Sequence, residues 1–258
     1  MKQSTLFPQD RIRFLNNALL IDNEILVISD THIGFEEHII ERGIFPNIQL
    51  KDILSDLKDI FEKLKREKIV LKKIIVNGDL KQEFGGISDS EWREVLELLG
   101  YLGKHCLEII LIKGNHDNIL GPIAKKKKVR LENYYVYKDI CFMHGDKKYK
   151  EEFKDKNVKI IILGHLHPAI TLSDKYKKEK YKCFLVGEWR KKKIIVLPSF
   201  SNISFGYDLN SLLDKNDKGF LIITAKNLKT FGVLIYNRKE DKVYDFGVLK
   251  RLSKQTAI

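Results

Sequence analysis

The stretch VKIIILGHLHPAI, residues 158–170, runs six mostly apolar residues into Gly164 and then sets His165 and His167 on either side of Leu166. A short apolar run ended by glycine reads as a buried β-strand. Residues two apart in an extended chain point to the same face, so on this reading both imidazoles reach one point in space. A core strand has no packing use for two histidines. The pair is a candidate for metal ligation, imidazole being the commonest metal ligand; two solvated or hydrogen-bonded histidines are the plainer alternative.

The same pattern, an apolar run ending in a polar cluster, recurs upstream. EILVIS (24–29) leads into SDTHIG with Asp30 and His32, KKIIVNGD (72–79) ends on Asp79, and LEIILIKG (107–114) leads into Asn115 and His116. YYVYKDICFMHGD (134–146) reads as a hairpin with Lys138-Asp139 at its tip and His144 near its end. Two helices are predicted between the first three strands. In IQLKDILSDLKDIFEKLKRE (48–67), Ile53, Leu54, Leu57, Ile60, Phe61 and Leu64 recur at helical spacing. SDSEWREVLELLGYLGK (88–104) opens with a Ser88…Glu91 capping-box pattern and lines Trp92, Val95, Leu96 and Leu99 on one face. Strand–helix–strand spacing implies parallel pairing through right-handed crossovers. Ligands of such sheets gather at the carboxyl ends of the strands, so the clusters should share one rim. Of the chain's 7 histidines, only His38 and His105 fall outside them.

The second half is a series of short β-rich segments, YKCFLVGEW, KKIIVLPSF, KGFLIITA, TFGVLIYN and KVYDFGVL, which favour antiparallel pairing. The simplest assembly is an α/β fold in one domain, residues 1–258, with two mixed sheets face to face and helices outside. No apolar run approaches the roughly 18 residues of a transmembrane helix. The opening MKQSTLFPQDRIRFLNNALL has no apolar core of the signal-peptide kind. Cys106, Cys141 and Cys183 are scattered and odd in number, as expected of reduced thiols in a cytoplasmic protein. The net charge of +12 concentrates in AKKKKV (124–129), DKYKKEKYK (174–182) and WRKKK (189–193). A polyanion partner, nucleic acid first, accounts for it; so does the ion-paired surface of a thermophile.

Asp, Asn and His without thiolate suit Mn²⁺, Fe²⁺, Zn²⁺ or Ni²⁺. Asp79 is the natural bridge between two such ions. Metals about 3.5–4 Å apart can share a hydroxide, lower its pKa and clamp both oxygens of an in-line displacement at phosphorus.

Taken in order, D-x-H, G-D, G-N-H-D, H and G-H-x-H across residues 30–167 resemble the calcineurin-like metallophosphoesterase superfamily. The resemblance implies a four-layer α/β/β/α sandwich. One metal would be held by Asp30, His32, Asp79 and His167, and a second by Asp79, Asn115, His144 and His165. His116 would assist the leaving oxygen without ligating, and Asp117 would orient it. The cofactors implied are two divalent ions, Mn²⁺ first, with Fe²⁺, Ni²⁺ or Zn²⁺ as alternatives. SDTHIGFEEHIIERGIFP, with Arg42, Gly43 and Pro46, together with GHLHPAI and LPSFSNISFGYDLN, is similar to the archaeal SbcD-related and bacterial DNA-ligase-associated phosphoesterases. This implies a phosphodiesterase of nucleic acid that works by attack of a metal-bridging hydroxide. As partners it admits a homodimer and proteins of DNA repair or of RNA and DNA processing, with no membrane. A phosphodiesterase of cyclic or small nucleotides is the alternative, and a non-catalytic scaffold on the same fold is a third reading. A Lys-rich insertion near 173–193 and a length too short for a DNA-gripping cap domain are the departures. Lys81 and Glu83 read as solvated turn residues, and Trp92 as core. Trp189 could stack on a base. Arg42 could serve phosphate or a surface ion pair equally.

Overall fold

The computed structural model describes residues 11–36, 48–147, 155–173, 177–214 and 222–252. His38, Arg42, Gly43 and Pro46 lie outside the described residues, as do parts of the Lys-rich stretch and of KGFLIITA.

Alternation along the predicted strands builds the interior. The first sheet runs β1 (Ile12–Leu15), β2 (Ala18–Ile21), β3 (Ile25–Ile28), β4 (Leu71–Asn77), β5 (Cys106–Ile112) and β6 (Arg130–Glu132), in that spatial order. From β3 onward its pairings are parallel. The second sheet contains β7 (Tyr134–Tyr137), β8 (Ile140–Met143), β9 (Ile160–Leu163), β12 (Phe184–Trp189), β13 (Lys192–Val196), β15 (Gly232–Asn237) and β16 (Lys242–Val248). Ile25, Val27, Ile75, Ile110 and Ile112 of the first sheet meet Phe142, Ile160, Ile162, Phe184 and Ile195 of the second in one apolar layer. The alternate residues Leu26, Ile28, Ile74, Val76, Ile109 and Leu111 face the other way, onto helices. Each fully buried Ile, Val or Phe is worth about 1.5–3 kcal/mol of transfer free energy, so a one-residue slip of any strand is strongly disfavoured.

Helices α1 (Ile48–Arg66), α2 (Asp89–Leu102) and α3 (Gly121–Lys127) cover the first sheet. The Ser88 hydroxyl accepts the Glu91 amide at 3.0 Å and starts α2 as predicted. The buried Glu91 carboxylate accepts the amides of Gln82 (2.7 Å) and Glu83 (3.0 Å), tying the helix to the loop after β4. The second sheet's outer face is closed by short helices, α4 (Leu209–Asp214), α5 (Ala225–Leu228) and α6 (Leu249–Leu252). The fold is therefore a mixed α/β architecture with helices flanking mixed sheets. No helix among the described residues is long and apolar enough to cross a membrane.

Four features depart from the sequence reading. The β1–β2 hairpin was not among the expected strands, although Asn16 and the Asp22-Asn23 pair, all at positive φ, mark its turns. The second sheet is less antiparallel than its composition suggests, because β9 pairs parallel with both β8 and β13. A small third sheet joins β10 (Pro168–Ser173) to β11 (Lys178–Lys182) and β14 (Tyr207–Asp208). The described part of KGFLIITA forms no strand; it leads into α5.

Topology also decides where the lysine runs sit. Lys193 pairs with Ile160 and Val196 with Leu163, so the 189–193 turn lies at the opposite end of β9 from Gly164. α3 starts beyond the 114–118 turn and descends to the start of β6, which carries Lys125–Lys128 away from the strand ends as well. Lys192 is buried, donating to the carbonyls of Asp155 (2.7 Å) and Val158 (2.6 Å). These two runs do not line the rim, whereas in the third Lys182 pairs with Ala169, two residues after His167.

Candidate metal centre

Five of the fourteen non-glycine residues at positive φ among the described residues gather at the strand ends. Asp30, His32, Asp79, His165 and His167 all have positive φ, at 55°, 46°, 47°, 66° and 49°. Left-handed backbone costs a residue with a Cβ about 1–3 kcal/mol, and such strain collects where function demands it. The strands β3, β4 and β9 end immediately before these residues and hold them rigidly. His165 and His167 are thus not on an extended strand, and they do not converge on one point. His167 joins Asp30, His32 and Asp79, whereas His165 joins Asp79 and His144. Leu166 between them is buried, and the reversal of the chain around it aims the two rings at neighbouring positions.

Asp79 belongs to both groups. Its Oδ2 lies 3.2 Å from His144 Nε2 and 3.7 Å from His32 Nε2, and its Oδ1 accepts the His116 amide at 3.0 Å. Asp30 is fully buried, with Oδ1 3.1 Å from His167 Nε2 and the Ser29 hydroxyl donating to Oδ2 at 2.6 Å. Asn115, the one predicted ligand that is neither acid nor histidine, places Oδ1 3.1 Å from His144 Nε2. His165 Nδ1 lies 3.1 Å from the same nitrogen. The predicted ligands Asp30, His32, Asp79, Asn115, His144, His165 and His167 therefore assemble around two adjoining points.

Charge in this pocket is set by burial and by the two carboxylates. Burial and the neighbouring His167 push His32 down to about 4, so it is neutral near pH 7. Burial works against a charged His144, but the bond to Asp79 outweighs it and raises the ring to about 9. Burial likewise opposes ionisation of Asp30, yet His167, His144 and His32 hold its carboxyl well below the usual range.

The donor set fits divalent cations. Nε2 of His32 and Nε2 of His167 stand 3.0 Å apart. Donors sharing one cation at about 2.1 Å stand about 3 Å from each other along a coordination edge. The Asn77 carbonyl, 3.3 Å from His144 Nδ1, takes that ring's other proton and leaves Nε2 facing the cluster. Small residues keep the pocket open. A Cβ on Gly114 would lie 2.1 Å from Asp79 Oδ1, and one on Gly78, itself at φ 91°, 2.1 Å from His144 Nδ1.

The two non-ligand residues behave differently. His116 is buried at the centre's edge, with Nε2 3.9 Å from Asp79 Oδ2 and Nδ1 bonded to the Gln82 carbonyl. That carbonyl orients the ring, and Asp117 does not. The Asp117 carboxylate instead accepts the amides of Gly114 (3.0 Å) and Leu80 (3.1 Å), stapling the two ligand turns together. Burial and the charge of Asp79 push it up to about 6. Lys81 is fully buried and bonded to the Glu83 carbonyl, a correction to its reading as a solvated turn residue; Glu83 itself is exposed. Trp92 packs half-buried on the first core, as expected.

Several supporting residues carried no local signal. The buried Gln49 amide donates to the carbonyls of His32 (2.7 Å) and Thr31 (3.0 Å) from the first turn of α1. The Ser199 hydroxyl donates to the Asp30 carbonyl at 2.8 Å. Lys182 donates to the carbonyls of Ser199 (2.9 Å) and Ser201 from beneath. Burial, against the attraction of Asp56, pushes Lys182 down to about 7. An unfolded lysine keeps its proton to about pH 10.4. Between these limits the unfolded chain holds the extra proton, so stability rises with pH. Below pH 7 both states hold it and the contribution to the slope disappears. Lys182→Met should flatten the rise between pH 7 and 10 in urea unfolding, by on the order of a few kcal/mol in total. The same rise in both proteins would exclude Lys182 as its source.

Comparison with known proteins agrees with this geometry. The family model described as calcineurin-like phosphoesterase matches residues 24–169, which contain every residue assigned to the centre. No curated protein compared with the chain matches it. Among solved structures the chain is similar to the nuclease MPE of Pseudomonas putida, at 15% identity and a TM-score of 0.60, with 91% of this chain and 94% of that one covered. That likeness extends the shared fold beyond the matched segment. A Vps29 double mutant from Entamoeba histolytica aligns at 14% identity and a TM-score of 0.35, covering 86% of this chain and 99% of that one. The protein AQ665 from Aquifex aeolicus aligns at 18% identity and the same TM-score of 0.35, covering 59% and 81%. Neither of these two carries weight.

Proposed function

The chain belongs to the calcineurin-like phosphoesterase family, and from that membership we propose that it is a two-metal phosphodiesterase acting on nucleic acid. The observation that carries the proposal is the Asp79 carboxylate, one anion shared by two groups of ligands. Asp30, His32, Asp79 and His167 would hold one ion, and Asp79, Asn115, His144 and His165 the other. Such a pair would supply Lewis acidity toward phosphoryl oxygens and lower the pKa of water at the site; the donor set admits Mn²⁺, Fe²⁺, Zn²⁺ or Ni²⁺, and the family resemblance puts Mn²⁺ first. The chain's own contribution is orientation and proton handling. Asp117 and Gln49 hold the ligand turns. Gln82 takes the Nδ1 proton of His116, so a proton added at Nε2 is the one available to a departing oxygen.

Nucleic acid is favoured by the net charge of +12 and by the likeness to a protein named a nuclease. The finer resemblance to SbcD-related and DNA-ligase-associated phosphoesterases points the same way. The placement of the 124–129 and 189–193 runs away from the rim favours a second reading, a phosphodiesterase of cyclic or small nucleotides. A side-by-side assay of Mn²⁺-loaded protein on single-stranded DNA, RNA, a cyclic nucleotide and bis(p-nitrophenyl) phosphate separates the two. Turnover of the oligonucleotides above that of the cyclic nucleotide is the expected result. Preference for the cyclic nucleotide would give the second reading precedence, and hydrolysis of none would sink both.

A further inference from the structure

Two phenylalanines stand where a folded protein gains nothing by exposing them. Phe84 is 54% and Phe205 77% exposed, and no other phenylalanine among the described residues is exposed. Both border the metal centre. The Phe84 ring lies on His116 with centroids 3.6 Å apart. From there a row of rings continues through His32, 4.9 Å on, to His167, a further 4.8 Å. Phe205 precedes Gly206, whose Cβ position lies only 2.6 Å from the His167 carbonyl. The row thus starts at one exposed phenylalanine, and the turn that carries the other adjoins the backbone of its last residue, His167.

Neither ring is on a loose loop. The Phe84 turn is pinned by Glu91 at the amides of Gln82 and Glu83, and by Asn118 at the Phe84 carbonyl (3.2 Å). The Phe205 turn is pinned by Lys180 at the Gly206 carbonyl (2.6 Å) and by the Tyr207 amide on His167 (2.7 Å). Rigidly presented aromatic faces beside a centre that takes phosphodiesters fit the flat faces of nucleobases, whose sugar–phosphate linkage would lie over the metals. Those faces are free only in unpaired strands; in a duplex they are stacked on each other.

We propose that Phe84 and Phe205 are stacking platforms for the bases flanking the bound phosphodiester, which makes an unpaired strand the substrate. This rests on the nucleic-acid phosphodiesterase reading above. Base–aromatic stacking changes affinity by roughly fivefold to a hundredfold per base. The test is the binding of a fluorescein-labelled phosphorothioate octathymidylate in Mn²⁺, compared with the same backbone carrying abasic tetrahydrofuran sites and with its duplex. Wild-type protein should prefer the base-bearing single strand at least about fivefold over both. Phe84→Leu and Phe205→Leu, which keep an apolar side chain but lose the π face, should each cut that ratio, and Phe84→Trp should retain it. A wild-type ratio near one, a ratio unchanged in both leucine variants, or tighter binding of the duplex would each overturn the stacking role. Oligonucleotide cleavage measured in parallel keeps the two readings apart. Cleavage with a ratio near one defeats stacking alone, whereas base-dependent binding without cleavage of any diester supports stacking and defeats the phosphodiesterase reading.

Discussion

Asp79→Asn should strip the protein of both metals' tight binding and abolish turnover. The substitution keeps the shape of the side chain but removes the one anion common to both ligand groups, leaving Asp30 as the sole carboxylate. Loss of a residue that merely supports a ligand already costs about 10–100-fold in metal affinity, so loss of the shared ligand should exceed about 100-fold at both positions. Calorimetric titration with Mn²⁺ and elemental analysis of the purified protein measure it. His105→Ala is the control: that ring stacks on Phe61 with centroids 3.9 Å apart, beyond the N-terminal end of β5 and away from the rim. It should keep full metal content. Normal metal binding in Asp79→Asn, or equal losses in both variants, would show that the centre lies elsewhere.

His116→Ala should separate chemistry from metal binding. The ring is not among the ligand groups, and its Nδ1 is committed to the Gln82 carbonyl. Metal content should therefore stay at the wild-type level. Turnover of an oligonucleotide should fall by about 10²–10⁴, the usual worth of a positioned general acid. The deficit should shrink with a nitrophenyl ester, because nitrophenolate departs without a proton. His144→Ala should instead lose metal and be impaired on every substrate alike, its Nε2 lying 3.2 Å from Asp79 Oδ2 and 3.1 Å from Asn115 Oδ1. An His116→Ala protein that lost metal, or was equally impaired whatever the leaving group, would refute the proton-donor role.

Periodicity and strand-end chemistry carry a great deal in this chain. The strands EILVIS, KKIIVNGD and LEIILIKG and the helices over 48–67 and 88–104 are local patterns and each formed, although the second helix buries Leu98 and Leu102 with Val95 and Leu99 and leaves Trp92 and Leu96 half-buried. The candidate ligands stood out in the sequence for a related reason. Five histidines placed at strand ends serve no packing purpose, so their chemistry stands out against an apolar background. What stayed illegible depends on partners distant in sequence. Gln49 and Ser199 act on Thr31, His32 and Asp30 across 17 to 169 positions, through single hydrogen bonds with no local signature. Lys81 looks like any turn lysine until the Asp117 and Glu91 contacts close the loop over it. The separate aims of His165 and His167 come from two left-handed residues around a buried leucine, a conformation a strand pattern cannot encode. Charge was the least informative: +12 is a property of the sequence, but only the tertiary structure puts the 124–129 and 189–193 runs away from the rim and Lys182 beside it. Composition and period thus determine which residues are buried and which are chemically out of place. Which of these meet, and which way they point, is decided by backbone strain and single long-range contacts that only the assembled sheets can hold.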